Sequence, residues 1–462
     1  MRGHTSRRRF LRHAAGTGLG LLVLKDSRSA WAAQANERLS IALVGVGGRG
    51  EWFVGCIPDL GENVVAICDV DDQRAAKAYE RFPEVPRYAD FRVMLDEMDD
   101  RIDAVVVATP DHTHAVISVT AMKRGKPVYC EKPLTNRLWE SRVMRETARE
   151  RGVATQMGNQ GTAAGPFRRA LELLRQGIIG DIREVLFWND AGGPGRTQPP
   201  QGTEPIPETL HWDLWLGPAA ERSYHPEWLQ WHAWRDFGTG QLGNWAVHTS
   251  NLAFMALEVH SLWRADPAAG PTPKIRVEAQ VAEINGLAFP TWEIVRYDLP
   301  ARGQWPPVTF TWLNGSASPG GRQRIEDTIG RKLDWGDYGE KQWADYAGLL
   351  IVGSAGQLHA TGHNATFTLL PEDQFQGYDG PPQTVPDSPG HEREWLNAIR
   401  GGEPAWSNFV DYGAALAEFV LLGNVATQFA QVLEYDPVAG QIADNLAANE
   451  ALRRDYREGW SL

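Results

Sequence analysis

The stretch LSIALVGVGGRGEWF, from Leu39 to Phe53, constrains this chain more than any other. A run of branched and small apolar residues stops at a cluster of glycines, and an amphipathic pattern follows at once. An apolar run bounded by glycine reads as a buried strand, and the change of period behind it reads as a helix. The alternation continues: NVVAICDV, IDAVVVATP, KPVYCEKPL and GVATQMGN are further apolar runs, separated by helical segments such as NRLWESRVMRETARERG. Strands that alternate with helices pair in parallel, because each crossover returns the chain in the same direction. The expected fold over 36–159 is therefore α/β, a doubly wound parallel sheet of the Rossmann kind.

At the first strand-helix junction stands Gly45-x-Gly47-x-x-Gly50, with Gly48 and Arg49 in the same turn, and Asp69 ends the next strand. Such glycines let the main chain approach a pyrophosphate at the positive end of a helix. A carboxylate at Asp69 would accept hydrogen bonds from ribose hydroxyls and repel a 2′-phosphate, so NAD is expected rather than NADP. Two later junctions add candidates. ATPDHTH (108–114) and EKP (131–133) end strands at the sheet edge where open α/β folds bind ligands. They offer Thr109, Pro110, His114, Glu131 and Lys132 as cofactor contacts, with Lys132 able to reach a nicotinamide ribose and a substrate hydroxyl together. His112 and His114 lack a third ligand, so they read as cleft-lining or helix-start residues and no metal site is expected.

Composition bounds the partners. The chain has 462 residues, 42% hydrophobic and 23% charged, with a formal net charge of −12. That suits a soluble protein with two cores and repels phosphate backbones, so nucleic acid is excluded as a partner. The basic residues gathered in the first 35 positions form a leader. SRRRFLRHAA is a twin-arginine pattern, followed by GTGLGLLVL and the small residues of AWAAQA. The apolar run is too short to span a bilayer. Residues 1–35 are expected to be a signal peptide for the twin-arginine export machinery, delivering the protein to the periplasm, with an uncleaved anchor as the alternative. Cys56, Cys68 and Cys130 fall in apolar patterns and read as core residues.

Together GVGGRG, CDVD, ATPDHTH, CEKPL, the helix RRALELLRQGIIGDI and the turn GTGQLGNWAVH resemble the Gfo/Idh/MocA oxidoreductase family, in its secreted branch. The resemblance implies a second domain over 160–462, an α/β layer around a large, open, mostly antiparallel sheet that serves for homo-oligomerisation. Runs such as IREVLFWN, KIRVEAQVAEI and PVTFTWLNG are compatible with that sheet. The resemblance also implies catalytic roles for Lys132 and His248, the histidine exchanging a proton with a substrate hydroxyl. The family carries an aspartate four residues before this histidine, whereas here the residue is Asn244. On a helix the two would share a face. An amide orients a hydroxyl but holds no charge, so His248 is expected to have a lower pKa than beside an aspartate.

Tryptophan is concentrated between 188 and 245, at positions 188, 212, 215, 228, 231, 234 and 245, out of 19 in the chain. Most read as core or interface residues. The expected substrate contacts are Asn159, Gln160, Trp188, Arg235 and Trp245. The function implied is hydride transfer between a tightly bound NAD and a hydroxyl-bearing carbon of a sugar, glycoside or cyclitol, tight binding following from export into a compartment without free nucleotide. One alternative is a glycosidase using transient oxidation and elimination. The other is a sugar-binding protein whose catalysis has decayed.

Overall fold

The structure, a computed structural model, describes residues 38–336, 345–378 and 380–462; residues 1–35, expected to be a twin-arginine signal peptide, lie outside the described residues. Six parallel strands, β1 (Ser40–Val44), β2 (Asn63–Cys68), β3 (Arg87–Tyr88), β4 (Ala104–Val107), β5 (Val128–Cys130) and β6 (Thr155–Met157), form the first sheet in the order 3-2-1-4-5-6. Strand β4 reads AVVV and is buried on both faces, as a parallel strand between two helix layers must be. The connecting helices are α1 (Glu51–Asp59), α2 (Asp72–Arg81), α3 (Phe91–Glu97), α4 (Asp111–Lys123) and α5 (Leu138–Arg151). Their starts are set by local chemistry. Asp71 accepts from the Gln73 N–H (3.0 Å) and Asp90 from the Arg92 N–H (2.9 Å), satisfying donors that a helix start leaves free.

Among the described residues the second sheet has nine strands: β7 (Ile182–Asn189), β8 (Ile275–Val281), β9 (Glu293–Leu299), β10 (Val308–Asn314), β11 (Ala347–Gly353), β12 (Gln357–Thr361), β13 (Phe367–Leu370), β14 (Leu433–Asp436) and β15 (Gln441–Ile442). Their order is 13-12-11-7-10-9-8-14-15, with only the β7–β10 pair parallel. Alternation along β7 sends Val185 and Phe187 into the main core. It sends Leu186 and Trp188 to the opposite face, under the helix Gly321–Ile329. The apolar helix Ala414–Ala426 is buried along its whole length between the sheet and α5.

The structure adds to the sequence reading at one boundary. The division at 159/160 is not a clean cut, because the chain returns to complete the first domain. Trp395 packs on Tyr129 within the core of the parallel sheet, and the Phe409 N–H donates to Thr155 Oγ1 (3.0 Å). The tryptophan-rich segment forms a small core of its own, in which Trp212 and Trp215 stack (4.9 Å) beside Trp228, Trp234 and Phe237. Cys68 and Cys130 are buried and Cys56 is partly so, all as free thiols.

Candidate active site

The glycine turn is held by sterics. A side chain at Gly45, where φ is +79°, would place its Cβ 2.7 Å from the Ala108 carbonyl oxygen, and one at Gly50 would lie 2.1 Å from that of Gly45. Only hydrogen fits at either position. Gly47 and Gly48 instead face the side chain of Arg74, leaving the turn open in front of α1. Asp69 accepts the N–H of Val46 (2.8 Å) and of Asp71 (3.1 Å), while burial raises its pKa against those bonds. A cavity of about 590 Å³ runs along this edge, lined by Gly45, Gly47, Arg49, Asp69, Thr109 and Pro110 and, further on, by Glu131 and Lys132. Trp460 from the C-terminal segment lines it too, beside Asp90 and Phe91. An open glycine turn at a helix start, a carboxylate at the end of β2 and a cavity joining them fit a dinucleotide.

A second cavity of about 590 Å³ lies on the side of the nine-stranded sheet, lined by Gly192, Gly193, Gln230, Gln241, Asn244 and Tyr346. The two cavities share Leu229, Trp231 and His232. They are also linked by hydrogen bonds: Lys132 of the first donates through Nζ to Asn244 Oδ1 of the second and, at 3.4 Å, to the Asn244 carbonyl oxygen. Burial lowers the Lys132 pKa, and the charges of Glu131 and Asp111 oppose it. Glu131 in turn accepts from Arg49 Nε (2.9 Å), and Arg49 also reaches Gln160, whose amide donates to the Gly158 carbonyl oxygen (2.9 Å).

Asn244 lies in a π-helical turn, Leu242–Ala246, that runs into a short α-helical turn, Val247–Thr249, carrying His248. The expected regular helix is thus widened at the site, a distortion common where a helix serves a function. His248 is 4% exposed, 4.2 Å from His363 between ring centroids, and its Nδ1 has no protein partner. Its pKa falls well below the ordinary value, first through burial and then through His363, Lys132 and Arg49. Burial is the largest of these causes.

Several expected residues serve elsewhere. Trp188 faces away from the cleft, its Nε1 donating to the Asp345 carbonyl oxygen (2.7 Å) and its ring stacked on His359. Arg235 is buried, binding the carbonyl oxygens of Asn285 (3.1 Å), Ala288 (3.0 Å) and Asn424 (3.2 Å) and Thr427 Oγ1 (3.0 Å). Neither can touch a substrate. Asn159 is fully buried and accepts from Ser407 Oγ. His114 bonds through Nε2 to the Thr109 carbonyl oxygen (2.8 Å), so it fixes the Thr109–Pro110 loop instead of facing the cofactor groove. Trp245 packs against His248 (6.3 Å) and His363 (5.7 Å). Sequence reasoning missed His363, Asp111 and Trp460. ATPDHTH had already put Asp111 at a strand end; nothing in the sequence signals the other two.

Comparison with known proteins bears on the first domain most directly. Residues 39–159 match the Gfo/Idh/MocA oxidoreductase family, NAD-binding Rossmann fold. The first domain is thus an NAD-binding domain of that family. Inositol 2-dehydrogenase of Rubrobacter xylanophilus is 36% identical over 125 residues, 25% of this chain and 33% of that protein. Levoglucosan dehydrogenase of Pseudarthrobacter phenanthrenivorans is 28% identical over 156 residues, 32% and 39% of the two chains. Glycosyl hydrolase family 109 protein 2 of Akkermansia muciniphila is 29% identical over 207 residues, 40% and 42%. The chain thus matches about a third to two fifths of the length of these curated relatives. In fold the likeness reaches across both domains. The WlbA dehydrogenase of Bordetella pertussis, solved with NADH and UDP-GlcNAcA, superposes with a TM-score of 0.57 at 15% identity over 86% of this chain and 98% of its own.

Proposed function

We propose that the protein is an NAD-dependent oxidoreductase acting on a hydroxyl-bearing carbon of a sugar or cyclitol. The observation that carries this reading is the Lys132–Asn244 hydrogen bond at the meeting of the two cavities. A nicotinamide ring, when bound in the first cavity, supplies the hydride acceptor or donor. Gly45, Gly47, Asp69, Thr109 and Pro110 would hold the dinucleotide. Lys132 and Asn244 orient the substrate hydroxyl from either side. His248, kept neutral by burial and four residues beyond Asn244, is the candidate to take the hydroxyl proton. Relatives named for inositol and levoglucosan support a polyol substrate.

The test uses the purified protein with NAD, recording the near-ultraviolet absorbance of reduced nicotinamide as inositols, anhydrosugars, free sugars and glycosides are added singly. A persistent rise with one of them is expected; no rise with any compound overturns stable oxidation. A second reading, redox-assisted glycoside cleavage, is favoured by the glycosyl hydrolase family 109 relative, whose match covers more of this chain than either dehydrogenase named above. Release of a reducing sugar with no net change in nicotinamide absorbance selects it.

The leader SRRRFLRHAA supports export by the twin-arginine route to the periplasm, checked by fractionating cells that carry Arg8→Lys/Arg9→Lys. Association of copies through the open sheet is checked by light scattering.

A further inference from the structure

Asp111 opens α4 at the end of β4 and is 1% exposed. It lines the nucleotide cavity together with Lys132. Its Oδ2 accepts from Thr239 Oγ1 (2.6 Å), and Thr239 belongs to the glycine turn that leads into the π-helical turn of Asn244. Thr239 is tightly seated there, since a Cβ at Gly243 would lie 2.1 Å from its hydroxyl oxygen. The neighbouring His112 N–H donates to the Phe237 carbonyl oxygen (3.2 Å), and its Nε2 meets that of Trp215 (2.8 Å). The start of α4 is therefore stitched to the segment that carries Asn244 and His248.

A buried carboxylate needs a compensating charge or donors. Asp111 has the Thr239 hydroxyl and main chain, the helix start and one cation, Lys132. Lys132 hydrogen-bonds to a neutral acceptor, Asn244, and of the two carboxylates whose charges favour its ammonium form, Glu131 is held by Arg49 (2.9 Å), whereas Asp111 is in no ion pair among the described residues. We propose that Asp111 supplies the carboxylate missing at position 244, acting across the nucleotide cavity as counter-charge to Lys132 and holding it as an ammonium. This rests on the reading of Lys132 as a substrate-orienting group. Asp111 is a positioning residue, acting through Lys132.

Burial lifts the Asp111 pKa from 3.8 to about 7, with Lys132 pulling it back down. The other titratable groups about the pair are Glu131 beside Lys132, Arg49 from the glycine turn, His114 on α4, His232 from the segment between the cavities, and His248 and His363 from the second domain. These histidines all have lowered pKa values and are neutral near pH 7. Asp69, in the same cavity, is also raised by burial, so the Asp111→Asn variant is what separates the acid limb of Asp111 from that of Asp69.

The sign of the stability effect follows. A carboxyl whose folded pKa is raised takes up a proton on folding, so wild type loses stability relative to Asp111→Asn as pH rises from 3.8 to about 7, and no further above that. The experiment measures urea midpoints of the full chain from pH 5 to 9 for wild type, Asp111→Asn, Lys132→Met and the double variant. The difference between wild type and Asp111→Asn should level off near pH 7. In the Lys132→Met background the levelling should move up by roughly one pH unit or more. An unmoved levelling point overturns the proposal, and this measurement needs no substrate, so it stands apart from the oxidoreductase reading.

If a polyol is turned over, Asp111→Asn should slow it about tenfold or more and flatten the acid limb of the pH profile. Adding Asn244→Asp to that variant should recover most of the loss. Failure of Asn244→Asp to recover it, with the acid limb unmoved, makes Asp111 only a structural tether for Thr239 and overturns the proposal.

Discussion

The glycine turn and the Lys132–Asn244 junction are built in opposite ways. The turn uses main-chain groups from a short stretch, and its shape follows from sterics within that stretch and Ala108 next to it. The junction uses side chains from α4, the end of β5, the π-helical turn and the β12–β13 loop. A site made of backbone tolerates little change of residue size but is indifferent to side-chain chemistry. A site made of converging side chains has the reverse sensitivity. The first serves a cofactor whose phosphates and ribose never vary; the second can be retuned one side chain at a time, as Asn244 illustrates.

The largest expected effect breaks the junction alone. Lys132→Met should lower turnover by about 10²–10⁴-fold, with the NAD dissociation constant changed by less than about threefold, as fluorescence titration would read it. An equal loss of NAD affinity would mean that the lysine belongs to the cradle. Gly50→Val should do the converse, overpacking the turn against Gly45, destabilising the fold by about 3 kcal/mol and abolishing NAD binding. Arg235→Met should cost about 3 kcal/mol by leaving buried carbonyl oxygens unpaired, while the KM for substrate stays within about twofold. A large KM change would return Arg235 to the cleft.

Trp460→Ala tests whether the cradle also depends on a distant segment. Removing an aromatic wall should weaken NAD binding by about tenfold, and unchanged affinity would confine the cradle to the first domain. Asn244→Asp alone should raise the pKa of His248 by about one unit, read in the NMR titration profile of its imidazole. A still profile would show the two side chains to be uncoupled. The smallest effect is Trp188→Phe, expected to leave kinetics unchanged and cost about 1 kcal/mol through the lost bond to Asp345.

What the sequence determined is what local rules govern. Apolar runs with glycine ends, alternating with helical segments, gave a parallel, doubly wound sheet for the first domain, since each crossover returns the chain in the same direction. The Gly45 to Gly50 turn, Asp69 and Lys132 were legible because strand ends and the motifs on them coincide. Only the tertiary structure decided which side chains converge from far apart. Trp188 and Trp245 read alike along the chain, yet strand alternation buries one under the outer helix and helix geometry brings the other to His248. Arg235 carries the charge of a ligand contact but meets buried carbonyl oxygens, a hydroxyl and the ring of Phe289. His363 reaches the site from the β12–β13 loop, and Asp111 meets Thr239 from the start of α4; both encounters depend on how the two domains pack, and such long-range packing leaves no periodic trace in the sequence.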